Sequence, residues 1–286
     1  MTDVAYQGVA GAFSEASASA LFPGARLEPR RTFSEVFAAL EGGAVAAAVV
    51  PVENTHAGAV ADVYDLLRRH GGIRVVAESV VRVRHCLVGV GTRVDEVRAA
   101  RSHPQALAQS EEFLRRHDIE PQPAYDTAGA AAEVAALADP AIAAIASRRA
   151  AQRYGLNVIA ASIESSRDNL TRFFALARRD DASAVERIPR RLRDGGSKTS
   201  LVYATANVPG ALTRSLQPFA TAGLQLTKIE SRPSRAAPWD YVFYLDFEGD
   251  AERSPATEAL ALMRTCCAWI QVLGTYPAAT EILEPD

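Results

Sequence analysis

Through residue 180, short apolar runs alternate with amphipathic stretches, and the pattern reads as strands followed by helices. Val4–Gln7 predicts a strand, Gly8-Val9-Ala10-Gly11 a turn, and Ser14–Leu21 a helix. Phe33–Leu40 predicts a helix with Thr32 as N-cap and Glu35 three residues on, the spacing of a capping box. Ala44–Val50 reads as a buried strand ending at Pro51, Ala59–Arg69 as a helix, and Ile73–Val90 as extended chain. A strand at Val97–Ala100 precedes a helix at Pro104–Arg115. Ala128–Ala138 is an alanine-rich helix capped by Asp126 or Thr127. A strand at Ala141–Ala146, a helix at Ser147–Tyr154 and a strand at Thr171–Ala177 complete this part. Such alternation predicts a three-layer α/β fold.

The pattern breaks at Arg178–Ser200, which is charged and carries Pro189, Gly195 and Gly196. It reads as a solvated linker, whose Arg187–Arg193 run could also meet an acidic partner. A second unit follows, with strands at Leu201–Ala206, Leu224–Ser231, Tyr241–Phe247 and Ile270–Thr275 and helices at Gly210–Ala222 and Thr257–Cys267. The order β-α-β-β-α-β is that of a ferredoxin-like α+β unit. No acid–base pair, nucleophile or metal cluster stands out in it. The expected division is 1–180, a linker at 181–199, and 200–286.

Composition narrows the possibilities. A chain of 286 residues, 48% hydrophobic, can build more than one core. Its net charge of −3 gives no basic field for nucleic acid. No apolar run is long enough to span a bilayer, and no secretory signal is visible, so neither a membrane nor export is expected. Cys86, Cys266 and Cys267 have no metal-ligand spacing and fit a reducing cytoplasm. The cations are almost all arginine, with Lys198 and Lys228 the only lysines.

Four strand-to-helix junctions share one design: Gly8–Ser14, Pro51–Gly58, Ser102–Leu107 and Asp126–Gly129. Each sets small or hydroxyl residues where a helix begins, and helix N-termini favour anions. In an open α/β sheet these points gather at the carboxyl ends of the strands, where ligands bind. Convergence of several suits a small polycarboxylate. A fifth segment, Asp168-Asn169-Leu170-Thr171-Arg172-Phe173-Phe174, sets a hydroxyl beside a permanent cation at the start of a buried strand. Such a pair suits a carboxylate-bearing substrate that must receive a proton. Among the histidines, only His103 lies at a junction together with Ser102 and Gln105, and it reads either as a proton carrier or as a structural donor. His56 reads as a loop residue, and His70, His85 and His117 as surface or packing residues.

Pro51-Val52-Glu53-Asn54, Ser102-His103-Pro104-Gln105-Ala106-Leu107 and Asn169-Leu170-Thr171-Arg172-Phe173 together resemble the prephenate dehydratase family. The Gly8–Ser14 loop resembles that family's first motif. Pro209-Gly210-Ala211-Leu212 and Glu230-Ser231-Arg232-Pro233 resemble the two signature segments of its phenylalanine-sensing ACT domain. Thr55 stands where serine is usual in that family, and Tyr6-Gln7-Gly8-Val9, Gly11-Ala12 and Asp126–Ala131 look closer to plant-type arogenate dehydratases. The resemblance runs from about Val4 to Pro277.

The resemblance implies a bilobal, periplasmic-binding-protein-like catalytic domain followed by the ACT domain. The implied reaction converts prephenate to phenylpyruvate, carbon dioxide and water without cofactor or metal. Thr171 would be the proton donor, supported by Arg172 and Glu53. Gly11, Ala12, Ser14, Asn54, Thr55, Ser102, His103, Gln105, Thr127, Asn169 and Phe173 would bind or frame the substrate. Pro209, Gly210, Ala211, Leu212, Glu230, Ser231, Arg232 and Pro233 would bind L-phenylalanine as effector. A homodimer or homotetramer formed through the ACT domains is expected. Arogenate dehydration and non-catalytic amino-acid sensing are the alternatives.

Overall fold

A computed structural model describes residues 2–166, 168–234 and 240–284. The first lobe begins with β1 (Asp3–Gln7), α1 (Phe13–Leu21), β2 (Arg26–Arg30), α2 (Phe33–Glu41), β3 (Ala47–Asn54), β4 (Gly58–Ala59), α3 (Ala61–Arg69) and β5 (Ile73–Arg82). The chain then crosses into a second lobe. That lobe comprises β6 (Cys86–Gly89), β7 (Ala99–Ser102), α4 (Pro104–Gln109), α5 (Glu111–Arg116), β8 (Glu120–Pro123), α6 (Thr127–Leu137), β9 (Ile142–Ala146), α7 (Arg148–Tyr154) and β10 (Asn157–Ala160). It returns through β11 (Leu170–Arg178) to the first sheet. The last part is β12 (Ser197–Thr205), α8 (Ala211–Thr221), β13 (Leu226–Pro233), β14 (Tyr241–Glu248), α9 (Ala256–Arg264), β15 (Cys267–Pro277) and β16 (Ile282–Leu283).

Three sheets result. The first runs β16-β5-β11-β3-β1-β2 with β4 beside β3, the second β10-β6-β9-β7-β8, and the third β13-β14-β12-β15. Two lobes joined by two crossings make the bilobal α/β plan expected from the sequence. The third sheet is antiparallel, and its strand order is that of a ferredoxin-like unit.

Two stretches depart from expectation in the first lobe. β3 runs through Pro51 to Asn54 where the sequence predicted an end. The ladder between β11 and β3 shifts register between Arg172 and Phe173, at the point where Phe173 faces Pro51. A missing N–H is tolerated at such a bulge. The predicted helix Pro104–Arg115 breaks at Ser110 into α4 and α5. Strands β2, β8 and β10 were not foreseen. All three are sheet edges; in β2 and β8 charged, polar and proline residues replace the apolar pattern that marks a buried strand, and β10 is only four residues long. The vicinal Cys266-Cys267 pair sits at the α9–β15 turn, not inside a helix.

Central strands alternate between two cores. Phe173, Ala175 and Ala177 pack with α1 residues Ala18 and Leu21 on one face of the first sheet. Phe174 and Leu176 pack on the other face with Phe37 and Tyr64, and with Val202, Tyr244, Leu273 and Tyr276 of the third sheet. The ferredoxin-like unit therefore lays one face on the first lobe and covers its other face with α8 and α9. Each fully buried phenylalanine contributes about 1.5–3 kcal/mol of transfer free energy. Gly274 of β15 is required at this seam, because a Cβ there would lie 2.3 Å from the Val75 carbonyl oxygen of β5.

The stretch read as a solvated linker is packed. Ala184, Ile188 and Leu192 are buried in the α1-side core, and β12 already begins at Ser197. The chain also ends away from the ferredoxin-like unit, with β16 pairing parallel to β5. Spaced apolar residues among the arginines carry the packing, and the charged background hid them.

Candidate active site

All four junctions meet at one cavity of about 330 Å³ between the lobes. Phe13 comes from the first junction, and Asn54 and Ala57 from the second. His103, Gln105 and Ala106 come from the third, and Asp126 and Thr127 from the fourth. Thr171 lines the same cavity, together with Gln7, Phe33, Val60, Val83, His85 and Gln109. An adjoining space of about 310 Å³ shares Ala57, Gln105 and Gln109 and adds Asn169 and the Glu164–Ser166 loop.

β3 and β11 build the centre. Thr171 lies directly across from Asn54, and Arg172 across from Glu53. Side chains on a strand alternate faces, so the first pair faces the cleft and the second faces away. Asn54 is a hub: its Nδ2 donates to Asn169 Oδ1 (2.8 Å), Thr171 Oγ1 (2.9 Å) and the Leu170 carbonyl (3.1 Å). Its Oδ1 accepts from the amides of His56 and Ala57, both at 3.0 Å, and from Gln105 Nε2 at 3.4 Å. Thr171 Oγ1 accepts from Asn54, so that bond does not use the hydroxyl's own hydrogen. Asn169 Nδ2 donates to Gln109 Oε1 (2.9 Å), which is also 2.8 Å from His85 Nε2.

His85 is buried, with Phe13 edge-on to its ring. Its Nδ1 is buried without a partner among the described residues. Burial lowers its pKa, against weaker upward effects of Gln109 and Glu164, so the ring is neutral near pH 7. Acting as donor to Gln109, the neutral ring keeps a lone pair on Nδ1. The sequence reading had set His85 aside as surface or packing. Its place at the crossing between β5 and β6 was the available signal.

Several expected site residues serve other purposes. Arg172 turns from the cleft, with Nε 2.6 Å from Glu78, one terminal nitrogen 2.6 Å from Asp246 and the other 2.9 Å from the Tyr276 hydroxyl. It cannot support Thr171 by direct contact. Glu53 faces the same way and pairs with Lys228 at 2.8 Å. Ser102 is fully buried and donates to the Ile145 carbonyl at 2.6 Å. Thr55 is exposed and ties the loop by donating to the Asp168 carbonyl at 2.7 Å. Phe173 is core. Ser14 is buried, and Ala12 packs against the second lobe's core. Gly11 joins the lobes, its carbonyl accepting from Ser147 Oγ at 2.9 Å. His103 caps α4, its Nδ1 accepting from the Gln105 amide at 3.2 Å while the residue borders the cavity.

The segments expected to bind an effector lie on the third unit. Gly210 has φ +77°, which favours glycine, and opens α8 before the buried Ala211 and exposed Leu212. β13 alternates along its length, so Ser231 and Pro233 are exposed while Glu230 and Arg232 turn inward. Arg232 lies 3.8 Å from Asp65 of α3.

Comparison with known proteins agrees with this architecture. Residues 4–181 match the sequence signature of prephenate dehydratase. Arogenate dehydratase/prephenate dehydratase 2 of Arabidopsis thaliana is 39% identical across 98% of this chain and 74% of its own length. The chain belongs to the prephenate dehydratase family. Arogenate dehydratase 2 of Petunia hybrida is 37% identical across 98% of this chain and 72% of its own. Among solved structures, the prephenate dehydratase of Arthrobacter aurescens in complex with L-Phe superposes with a TM-score of 0.85 at 29% identity, covering 96% of this chain and 90% of that one. GqqA, described as a novel type of quorum quenching acylase, gives 0.86 at 33% identity, covering 97% and 98%. The fold is thus shared with these two solved structures over nearly the whole chain. Among the described residues, no helix is long and apolar enough to cross a membrane.

Proposed function

We propose that this dehydratase converts prephenate to phenylpyruvate, carbon dioxide and water in phenylalanine biosynthesis. The observation that carries the reading is the Thr171 hydroxyl, held at the cleft by a bond from Asn54 that leaves its own proton available for donation. The bond to the ring carboxylate breaks, and its electron pair becomes part of the aromatic ring. The ring C–O bond breaks in the same sense, and the departing oxygen takes the Thr171 proton to leave as water. Solvent returns the proton. Aromatisation supplies the driving force, so no cofactor is required.

A threonine is a weak acid, so the charge left on Oγ1 needs a partner. Asn54 Nδ2, donating at 2.9 Å, is the group in position, in the role first given to Arg172. Among the described residues, neither lysine nor arginine lines the main cavity. The substrate carboxylates would rest on the starts of α1 and α6, where Phe13 and Thr127 border it. Gln105 and Gln109 would supply further donors. Because Thr171 accepts from an amide and has no base beside it to remove its proton, the geometry favours proton delivery over acyl transfer.

Arogenate is the second reading. Asp126 sets a carboxylate at the cavity, where an ammonium group would be favoured over a keto oxygen. Relatives from Arabidopsis and Petunia that carry the arogenate dehydratase name support it. Incubation with prephenate and then arogenate, following phenylpyruvate and phenylalanine, separates the readings. Turnover of neither sinks both and leaves a ligand sensor.

L-phenylalanine is the expected effector, at an ACT domain formed by the ferredoxin-like unit, as the L-Phe complex of the Arthrobacter protein suggests. Val208, Leu212, Ile229, Tyr241 and Trp269 are exposed and all belong to this unit. Together with the open edge of β13 they support pairing of two such units in a homodimer or homotetramer. Glu230→Ala or Gly210→Val should blunt phenylalanine inhibition and leave basal turnover. Unchanged inhibition in both would move the effector site elsewhere. Three sparse cysteines without metal-ligand spacing support a reducing compartment such as the cytoplasm.

A further inference from the structure

Behind the catalytic pair lies a charge cluster shared by all the sheet strands that meet there. Arg172 of β11 is bound to Glu78 of β5 and to Asp246 of β14, each at 2.6 Å, and lies 3.7 Å from Glu53 of β3. Lys198 of β12 is 2.9 Å from Glu78, and Lys228 of β13 is 2.8 Å from Glu53. Three cations and three carboxylates therefore balance. Ser200 donates to Asp246 and contacts the Tyr276 hydroxyl, and the Ala279 amide donates to Glu78. Glu78 and Asp246 are 3% and 2% exposed, so these charges have left water and depend on one another. The only two lysines of the chain are both in this cluster. Every other cation is arginine, and here compact ammonium groups fit between packed sheets.

The placement of the cluster ties the two units together at the reacting centre. Glu53 is bonded in sequence to Asn54, and Arg172 to Thr171. The two residues of each cross-strand pair sit at the same height on β3 and β11. Lys228, Asp246 and Lys198 belong to the ferredoxin-like unit. Lys228 is also two residues from Glu230, on the same inward face of β13.

We propose that Lys228 and Asp246 are positioning residues for the dehydration: through Glu53 and Arg172 they hold Asn54 and Thr171 in register, so that turnover depends on how the ferredoxin-like unit is seated. The idea rests on the dehydratase reading for its kinetic arm. A ligand that shifts β13 then reaches the catalytic threonine by pulling on Glu53, across one peptide bond and one strand pair. No long pathway is needed.

The test is Lys228→Met in the full-length protein, with Asp246→Asn as a second, near-isosteric variant if the first fails to fold. kcat should fall about tenfold to a hundredfold while KM changes little, the mark of a misplaced catalytic group. Amide hydrogen exchange should quicken at Thr55, His56 and Ala57, which are bonded to the Leu170 carbonyl and Asn54 Oδ1. The exchange of charges in the double variant Glu53→Lys with Lys228→Glu should restore most of both. Wild-type kcat and wild-type exchange in a variant whose thermal midpoint has dropped would make the cluster structural only and overturn the proposal. If the wild-type protein turns over neither prephenate nor arogenate, the dehydratase reading fails by itself. The exchange comparison still decides whether the cluster positions Asn54.

Discussion

Two faces of one strand pair carry opposite chemistry. On the cleft face, Thr171, Asn54, Asn169, Gln105 and Gln109 form an uncharged web of hydroxyl and amide groups. On the far face, one residue along, Arg172 and Glu53 enter a buried cluster of full charges. The cleft must accept and release an anion, and a fixed guanidinium there would bind the ground state as well as the transition state. The far face is covered by the third sheet, where paired charges hold the strands in place. Adjacent residues in a motif can thus serve different sites.

Substitutions on the cleft face should therefore cost turnover with little stability, whereas those on the far face should cost both. The largest effect belongs to Arg172→Met. It leaves Glu78 and Asp246 facing each other without their shared cation and should cost about 3–5 kcal/mol in chemical denaturation. A stable Arg172→Met protein would mean that the cluster relaxes around the loss and carries little energy. Thr171→Val comes next. It should lower kcat about a hundredfold, or about 2.7 kcal/mol, with a stability change under about 1 kcal/mol, since Asn54 keeps its other acceptors. Near wild-type kcat would remove Thr171 from proton delivery.

The faces should also fail in different pH windows. His85 has its pKa lowered by burial, so below the unfolded value of 6.5 the unfolded chain takes up a proton that the folded protein refuses. Stability then drops as pH falls below 6.5, by no more than about 1.4 kcal/mol per pH unit from this group. His85→Gln should flatten that slope in thermal melts. Glu78 acts lower. Burial opposes its charge, but Arg172, Lys198 and the Ala279 amide outweigh it and lower its pKa. Its contribution is complete above 4.5 and is lost as pH falls through the folded value. An unchanged slope between pH 6.5 and 5 in His85→Gln would show that the orphaned Nδ1 has other support.

Much of this was legible in the chain. Thr32 caps α2 as read, its Oγ1 accepting from the Glu35 amide at 3.2 Å, while Glu35 Oε2 reaches past the cap residue to accept from the Arg31 amide. Asp126 caps α6 as read from its position. The four junctions do converge, because a βα alternation brings strand ends to one rim. Ser102 and Ala12 were misread because proximity to a motif was taken as exposure to the cleft. The Thr171-Arg172 pair was misread because contiguity was taken as co-location, although strand alternation alone separates the two side chains.

Local order determined the elements, their caps and the set of residue types able to handle a small dianion. Those follow from spacing, and spacing is written in the chain. Which face each side chain takes, and what meets it there, came only with the fold. Glu53 finds Lys228 at a separation of 175 residues, and Arg172 finds Asp246 at 74. No local pattern encodes such partners, since they exist only once the third sheet has closed over the first. The proposed division of labour, proton delivery from Thr171 and alignment from Arg172, is therefore a property of the closed structure.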